Sequence, residues 1–155
     1  MYLNLKLFKA IKQHISAEPK RLRMGCYWAR PKDKTVSYST FVGDVKLEPE
    51  CKTIGCIAGW TLILSGQSLN HNYRQSFIEQ LAAQLLVVGD DDTASEWRSY
   101  LARVVFHHFP EQDSDEPTPG TRRYARRVIQ RINEFIDLAK ASSGYQRESK
   151  TTMHP

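Results

Sequence analysis

The chain has 155 residues, of which 41% are hydrophobic and 25% charged, with 22 Lys and Arg against 17 Asp and Glu. This length fits one domain of ordinary size better than two full domains, and the balance is that of a globular protein, so disorder throughout is excluded. No apolar run approaches the roughly 18 to 20 residues of a membrane span. Three cysteines, an odd number without an export signal, predict reduced thiols. We therefore expect a soluble, cytoplasmic protein that does not bind membranes.

The first predicted element is an amphipathic helix over residues 3–16, with lysines opposite an apolar stripe and Pro19 as its stop. The stripe consists of Leu3, Leu7, Phe8, Ile11 and Ile15. Residues 24–45 then become rich in aromatic and β-branched side chains on either side of a turn-like segment at 30–34, which predicts a small β-hairpin.

The next segment, residues 54–64, has no polar face, which is typical of a buried helix. It contains Gly55 and Gly59, four positions apart, a spacing that lets another backbone come close. Thr53 is the expected cap of this helix.

Three more helices follow. The first covers residues 70–88 and ends at Gly89, and the second begins with a capping box formed by Thr93 and Glu96 and ends near residue 109. The last starts at Thr118-Pro119 and runs to about residue 141. The whole is a mostly α, α+β fold: about five helices around the buried glycine-containing helix, with one domain over residues 1–141 and a flexible polar tail over 142–155.

The most distinctive stretch is residues 51–60, and here the chain resembles a group of small uncharacterised proteins from bacteriophages and bacterial genomes. Those proteins share a Cys-Gly-Thr-x-x-Cys-Ile-Ala-Gly-Trp-like signature. The likeness covers roughly residues 10–140 and departs from the signature at Lys52, where the usual residue is Gly. The matching residues are Pro19, Met24, Tyr27, Trp28, Cys51, Thr53, Cys56, Ala58, Gly59 and Trp60. The resemblance implies a fold and a mobile-element setting, without a mechanism.

Three interpretations of this motif compete. In the first, Cys56 and Trp60 are core residues. The second is a metal site, because Cys51 and Cys56 have a Cys-x4-Cys spacing and other cysteine and histidine residues could complete it. Those residues are Cys26, His71, His107 and His108. The third is a cysteine-dependent hydrolase, with Cys56 as nucleophile, His107 or His108 as base and Asn133 as orienting residue. The first is the simplest, so we expect no metal and no cofactor.

The charge is distributed unevenly along the chain. Residues 1–34 have a net charge of +7, residues 35–117 of −7 and residues 118–155 of +5. On the last predicted helix, five arginines fall opposite the apolar stripe. We call these residues the arginine face: Arg122, Arg123, Arg126, Arg127 and Arg131.

Two partners for the arginine face are open. The acidic residues just upstream, among them Asp113, Asp115 and Glu116, could cover it as an internal ion-pair network. Alternatively the arginines bind an external anion, on a protein or a nucleic acid. Asp90, Asp91 and Asp92 are better explained as helix-start acids than as a metal site, since the glycine and distal glutamate of a calcium loop are missing.

These observations lead to one principal hypothesis and two alternatives. The principal hypothesis is a non-catalytic protein that binds a macromolecular partner, such as a host defence complex, through the arginine face and acidic residues 113, 115 and 116. The acidic surface would mimic phosphates toward such a partner. The alternatives are sequence-nonspecific nucleic-acid binding through the arginine face and a hydrolase using Cys56.

Overall fold

The structure, a computed structural model, describes residues 1–22, 56–67, 75–106, 120–142 and 145. Within these ranges 79% of the residues are helical, and five α-helices accompany one antiparallel strand pair, so the predicted mostly α, α+β class is confirmed. The elements are β1 (Tyr2–Leu3), α1 (Leu5–Ala17), a 3-10 turn (Pro19–Arg21), α2 (Ile57–Leu64), α3 (Gln75–Leu86), β2 (Val87–Val88), α4 (Asp92–Leu101), a π-helical turn (Ala102–Phe106) and α5 (Arg122–Ala141).

The strand pair links the start of the chain to the end of α3. Tyr2 lies opposite Val88 and Leu3 opposite Val87. Two predicted helix boundaries were therefore wrong: α1 begins at Leu5 instead of residue 3, and α3 ends before its last two valines. The physical reason is that β-branched valines favour a strand when a partner strand is available. The hairpin predicted over residues 24–45 lies outside the described residues.

Asn4 fixes the start of α1. Its side-chain oxygen accepts a hydrogen bond from the Leu7 amide at 3.0 Å, and its side-chain nitrogen donates to the Leu85 carbonyl at 3.2 Å. The N-cap of α1 is thus also a link to α3.

Helix α2 lies in the core, as its uniformly apolar sequence predicts. All residues from Ile57 to Ile63 are buried, and Trp60 is fully buried. Its cap is Cys56, whose Sγ accepts a hydrogen bond from the Gly59 amide at 3.5 Å. The predicted cap, Thr53, lies outside the described residues and four positions before the first helical residue, too early for an N-cap.

The turn into α4 is held by several polar contacts. Asp91 is the N-cap and accepts from the Ala94 amide at 2.6 Å, and its other oxygen lies 3.1 Å from the Met1 ammonium. The Ala94 hydrogen bond, followed by the Met1 ammonium, holds the pKa of Asp91 below its usual value. The predicted cap, Thr93, was therefore wrong, because the carboxylate of Asp91 makes the stronger, charge-assisted bond. Helix-start acids, by contrast, were predicted correctly.

Arg98 of α4 also holds this turn. Its Nε donates to the Val87 carbonyl at 2.9 Å, and its Nη2 donates to the Gly89 carbonyl. Gly89 has a φ of +139°, and a Cβ there would lie 3.1 Å from the Met1 Cα, so both its backbone angle and its surroundings favour glycine.

The hydrophobic core joins residues of all five helices, and α5 contributes the longest stripe. The buried α5 residues are Tyr124, Ala125, Val128, Ile132, Phe135, Ile136 and Ala139. Thr121 caps α5 by accepting from the Tyr124 amide at 3.2 Å, so the helix starts four residues after the predicted Thr118. The tail predicted over residues 142–155 lies, apart from residues 142 and 145, outside the described residues.

Candidate partner-binding surface

The arginine face lies in the first half of α5, opposite the buried stripe. Arg122, Arg123, Arg126 and Arg127 are exposed, whereas Arg131 is half-buried. Successive helical residues turn by about 100°, so Arg122 and Arg126 share one flank of α5 while Arg127 and Arg131 share the other. The face therefore covers about half of the circumference of the helix.

The arginine face does not stabilise α5. Three pairs within it are four residues apart, and like charges at that spacing cost about 0.2–0.5 kcal/mol each. Arginines near a helix N-terminus also meet the positive end of the helix dipole. Within the part of the chain that the structure describes, no carboxylate forms an ion pair with Arg122, Arg123, Arg126 or Arg127. Packing of the opposite side must therefore hold this helix in place.

The second half of α5 has two carboxylates and one cation, Lys140, and is weakly negative. Glu134 and Asp137 are exposed there, and Glu134 accepts a hydrogen bond from Gln130 at 2.8 Å. The surface of α5 thus changes from positive to negative along the helix axis, in the same sense as the helix dipole. A partner that lies along α5 would meet both signs of charge.

Two lysines extend the positive surface toward the N-terminal part of the chain. Lys12 of α1 donates from Nζ to the Asn133 side-chain oxygen at 2.7 Å, on the flank of α5 that carries Arg122 and Arg126. Lys20 lies at the start of α5, since its Cα is 3.7 Å from the position of a Cβ on Gly120. Lys20 therefore lies beside the N-terminal end of α5, and Lys12 lies beside its middle, just beyond Arg131.

On the other flank, α5 and the π-helical turn enclose a groove of about 370 Å³. Arg131 lines this groove and is half-buried. The groove is lined by Tyr100, Arg103, Val104, Arg131, Glu134, Phe135 and Leu138. The predicted helix over residues 93–109 becomes π-helical after Leu101, a change that is common at functional sites and here places Arg103 and Val104 at the groove.

Three aromatic rings pack against one another at the groove. Trp97 meets Phe135 edge to face, with ring centroids 5.6 Å apart, and Tyr100 stacks on Phe135 at 6.1 Å. The Arg103 guanidinium lies 5.5 Å from the centroid of the Tyr100 ring, within cation–π range. Tyr100 and Arg103 were not among the predicted site residues, although an aromatic residue and a cation three positions apart on a helix were the available signal.

The structure places Cys56 in the core, with 2% of its surface exposed. Asn133, its proposed orienting residue, is exposed on α5 and bonded to Lys12. This placement does not support the hydrolase hypothesis. Cys51, His107 and His108 lie outside the described residues, as do Asp113, Asp115 and Glu116, whose part in partner binding stays a prediction.

A half-buried histidine accompanies the motif. The His14 ring lies 3.9 Å from the Trp60 ring, centroid to centroid, and the Trp60 indole donates to the Arg21 carbonyl at 3.4 Å. Burial, reinforced by the positive charge of Arg21 and opposed by Glu18, lowers the pKa of His14. His14 is therefore a packing partner of Trp60 that favours the neutral form.

No family model, curated protein or solved structure matches this chain. Among the described residues, no group of three or more His, Cys, Asp or Glu side chains could hold a metal ion. No helix within the described ranges is long and apolar enough to cross a membrane.

Proposed function

We propose that this protein binds a macromolecular partner, and that the partner is a protein with an acidic surface that contacts the arginine face of α5. The observation that carries this proposal is the exposure of four arginines that lack a carboxylate partner among the described residues and occupy the unfavourable end of their helix. Groups that cost stability and face outward are typical of binding surfaces.

The sign change along α5 favours a protein over a nucleic acid. The positive part, residues 122–131, covers only about 14 Å of helix axis, and Glu134 and Asp137 follow it. A nucleic-acid backbone carries negative charge along its whole length and would be repelled by these two carboxylates. Arginine and aromatic side chains are also enriched in protein interfaces.

A host defence complex as the partner is part of the proposal. This part is supported by the resemblance of residues 51–60 to phage-borne proteins. For a phage-borne protein, the partner would be a host complex that itself binds nucleic acid. The acidic residues 113, 115 and 116 would then contact the phosphate-binding surface of that complex.

Capture from a bacterial host lysate tests the proposal. The full-length protein and the variant Arg122→Glu plus Arg126→Glu are immobilised, and captured proteins and nucleic acids are identified with and without nuclease. We expect the wild-type protein to capture a protein that survives nuclease treatment, that the variant loses and that added salt releases. The matched control is Lys6→Glu plus Lys9→Glu, which changes two exposed residues of α1 by the same charge and should retain capture. Capture that is unchanged in the arginine variant would contradict the proposal.

The alternative, sequence-nonspecific nucleic-acid binding, makes a different prediction in the same experiment. Capture would then disappear with nuclease, and a gel shift of a short DNA duplex would weaken steeply with salt and be lost in the arginine variant. The observation that favours it is the extension of the positive surface by Lys12 and Lys20.

A further inference from the structure

The groove and the arginine face are parts of one surface. Arg127, Arg131, Glu134 and Leu138 are spaced four, three and four residues apart, so they form a single row along α5. This row spans about 17 Å at 1.5 Å per residue. It begins in the arginine face and ends in the groove, where α4 and the π-helical turn form the opposite wall.

The charge of this surface selects an acidic occupant. Arg103 lines the groove and Arg127 lies one helical turn before it along the row, so two exposed cations accompany the one carboxylate of Glu134. Glu134 interrupts the positive charge near the middle of the row, so a uniform polyanion is disfavoured there. A segment that is acidic at one end and uncharged at the other matches this pattern.

The far end of the row offers an apolar contact. Leu138 is 52% exposed, the largest exposed fraction among the large hydrophobic side chains of the described residues. Val104, Phe135 and the Tyr100 ring lie beside it in the groove. A groove of about 370 Å³ has room for a large apolar or aromatic side chain of a partner.

We infer that the groove binds a short segment of a partner protein in which an apolar or aromatic side chain is preceded or followed by acidic residues. The apolar side chain occupies the groove beside Leu138, and the acidic residues contact Arg103 and Arg127. The inference rests on the proposed function and names the kind of segment that this partner supplies. Anchors of this type carry most of the energy of a protein interface.

Selection from a peptide library tests the inference without knowledge of the partner. Random peptides of about 12 residues, long enough to exceed the 17 Å row when extended, are selected on the full-length protein. Affinities of the enriched peptides are measured by fluorescence anisotropy for the wild-type protein and for Leu138→Ser and Arg103→Glu. Matched controls are Leu5→Ser, which changes an exposed leucine of α1, and Lys9→Glu, which changes an exposed cation of α1 by the same charge.

We expect enriched peptides to combine an apolar or aromatic residue with Asp or Glu, and to bind both groove variants about tenfold or more weakly while the controls bind as the wild type does. No enrichment, enrichment without this pattern, or equal binding by the groove variants and the wild type would overturn the inference. Arg122 and Arg126 lie on the flank of α5 away from the groove. The variant of these two arginines can therefore lose capture from the lysate even if the peptide library gives no enriched peptides. That result would leave the proposed function standing and remove only the groove.

Discussion

At the scale of single residues, chemically similar side chains have different roles according to their position. Arg98 and Arg103 lie five residues apart, yet Arg98 donates to two backbone carbonyls of the turn between α3 and α4, whereas Arg103 is exposed at the groove. The helical period of the sequence does not distinguish the roles of these two arginines, because the carbonyls that accept from Arg98 belong to a turn that lies beside α4 only in the folded chain.

This difference predicts unequal effects on stability. Arg98→Ala should lower the free energy of unfolding by about 2 kcal/mol, since hydrogen bonds from a charged donor contribute about 1.5–3 kcal/mol and the two carbonyls lose their partner. Arg103→Ala should change it by less than about 0.5 kcal/mol, as is usual for exposed residues. Urea unfolding followed by circular dichroism measures both, and equal losses would show that Arg98 does not hold the turn.

His14 predicts how stability depends on pH. Its pKa in the folded protein lies below the ordinary value of 6.5, because burial beside Trp60 and the charge of Arg21 disfavour the protonated ring. The unfolded chain therefore binds more protons as the pH falls through 6.5, and the free energy of unfolding decreases until the folded-state pKa is passed. His14→Gln should remove this part of the pH dependence.

The measurement is urea unfolding of both proteins at several values between about pH 7.5 and 5. The difference between wild type and variant isolates His14 from the other histidines. A difference that does not vary with pH would mean that His14 titrates equally in both states.

At the scale of elements, the charges along the first half of α5 oppose the dipole of the helix. Its first half is positive, and its second half is negative apart from Lys140 in the last turn, so all of these charges except Lys140 lie opposite to the arrangement that the dipole favours. Charge reversal in its first turn, Arg122→Glu plus Arg123→Glu, should therefore raise the free energy of unfolding by about 1 kcal/mol while partner binding is lost.

Lys140→Glu is the matched control for this prediction. It places a negative charge at the negative end of the same helix and should lower the free energy of unfolding. A loss of stability in the arginine variant would instead indicate that the acidic residues at 111–116 pair with the arginine face in the folded protein. Urea unfolding thus decides between the internal and the external partner of these arginines.

At the scale of the whole molecule, the sequence predicted the helices well and their connections poorly. Four of the five helices were predicted from apolar stripes that repeat with the helical period, and the fifth, α2, from its lack of a polar face. The strand pair was not predicted, because two residues are too short to show a period and their partner is remote in the chain. The caps were misplaced where several capping residues lie close together, as at Asp91 and Thr93.

The candidate surface was predicted only in part. The arginine face follows from the spacing of residues along one helix, so the sequence suffices to place it. The groove needs α5 and the π-helical turn to lie side by side, which is a property of the folded chain. Tyr100 and Arg103 were therefore not predicted as part of the surface. Arg131 was predicted as part of the arginine face, but its position in the groove was not predicted.

The joining of Met1 to Asp91, 90 positions away, has a consequence for synthesis. Helix α1 is made first, but β2 and the cap of α4 that hold its start follow much later, and α5, against which it packs, comes last. At about 5–20 residues per second, the apolar stripe of α1 stays without its final neighbours for on the order of 10 s. We expect the residues of α1 that are buried in the folded protein, Leu7, Phe8, Ile11 and Ile15, to be incompletely covered during that interval.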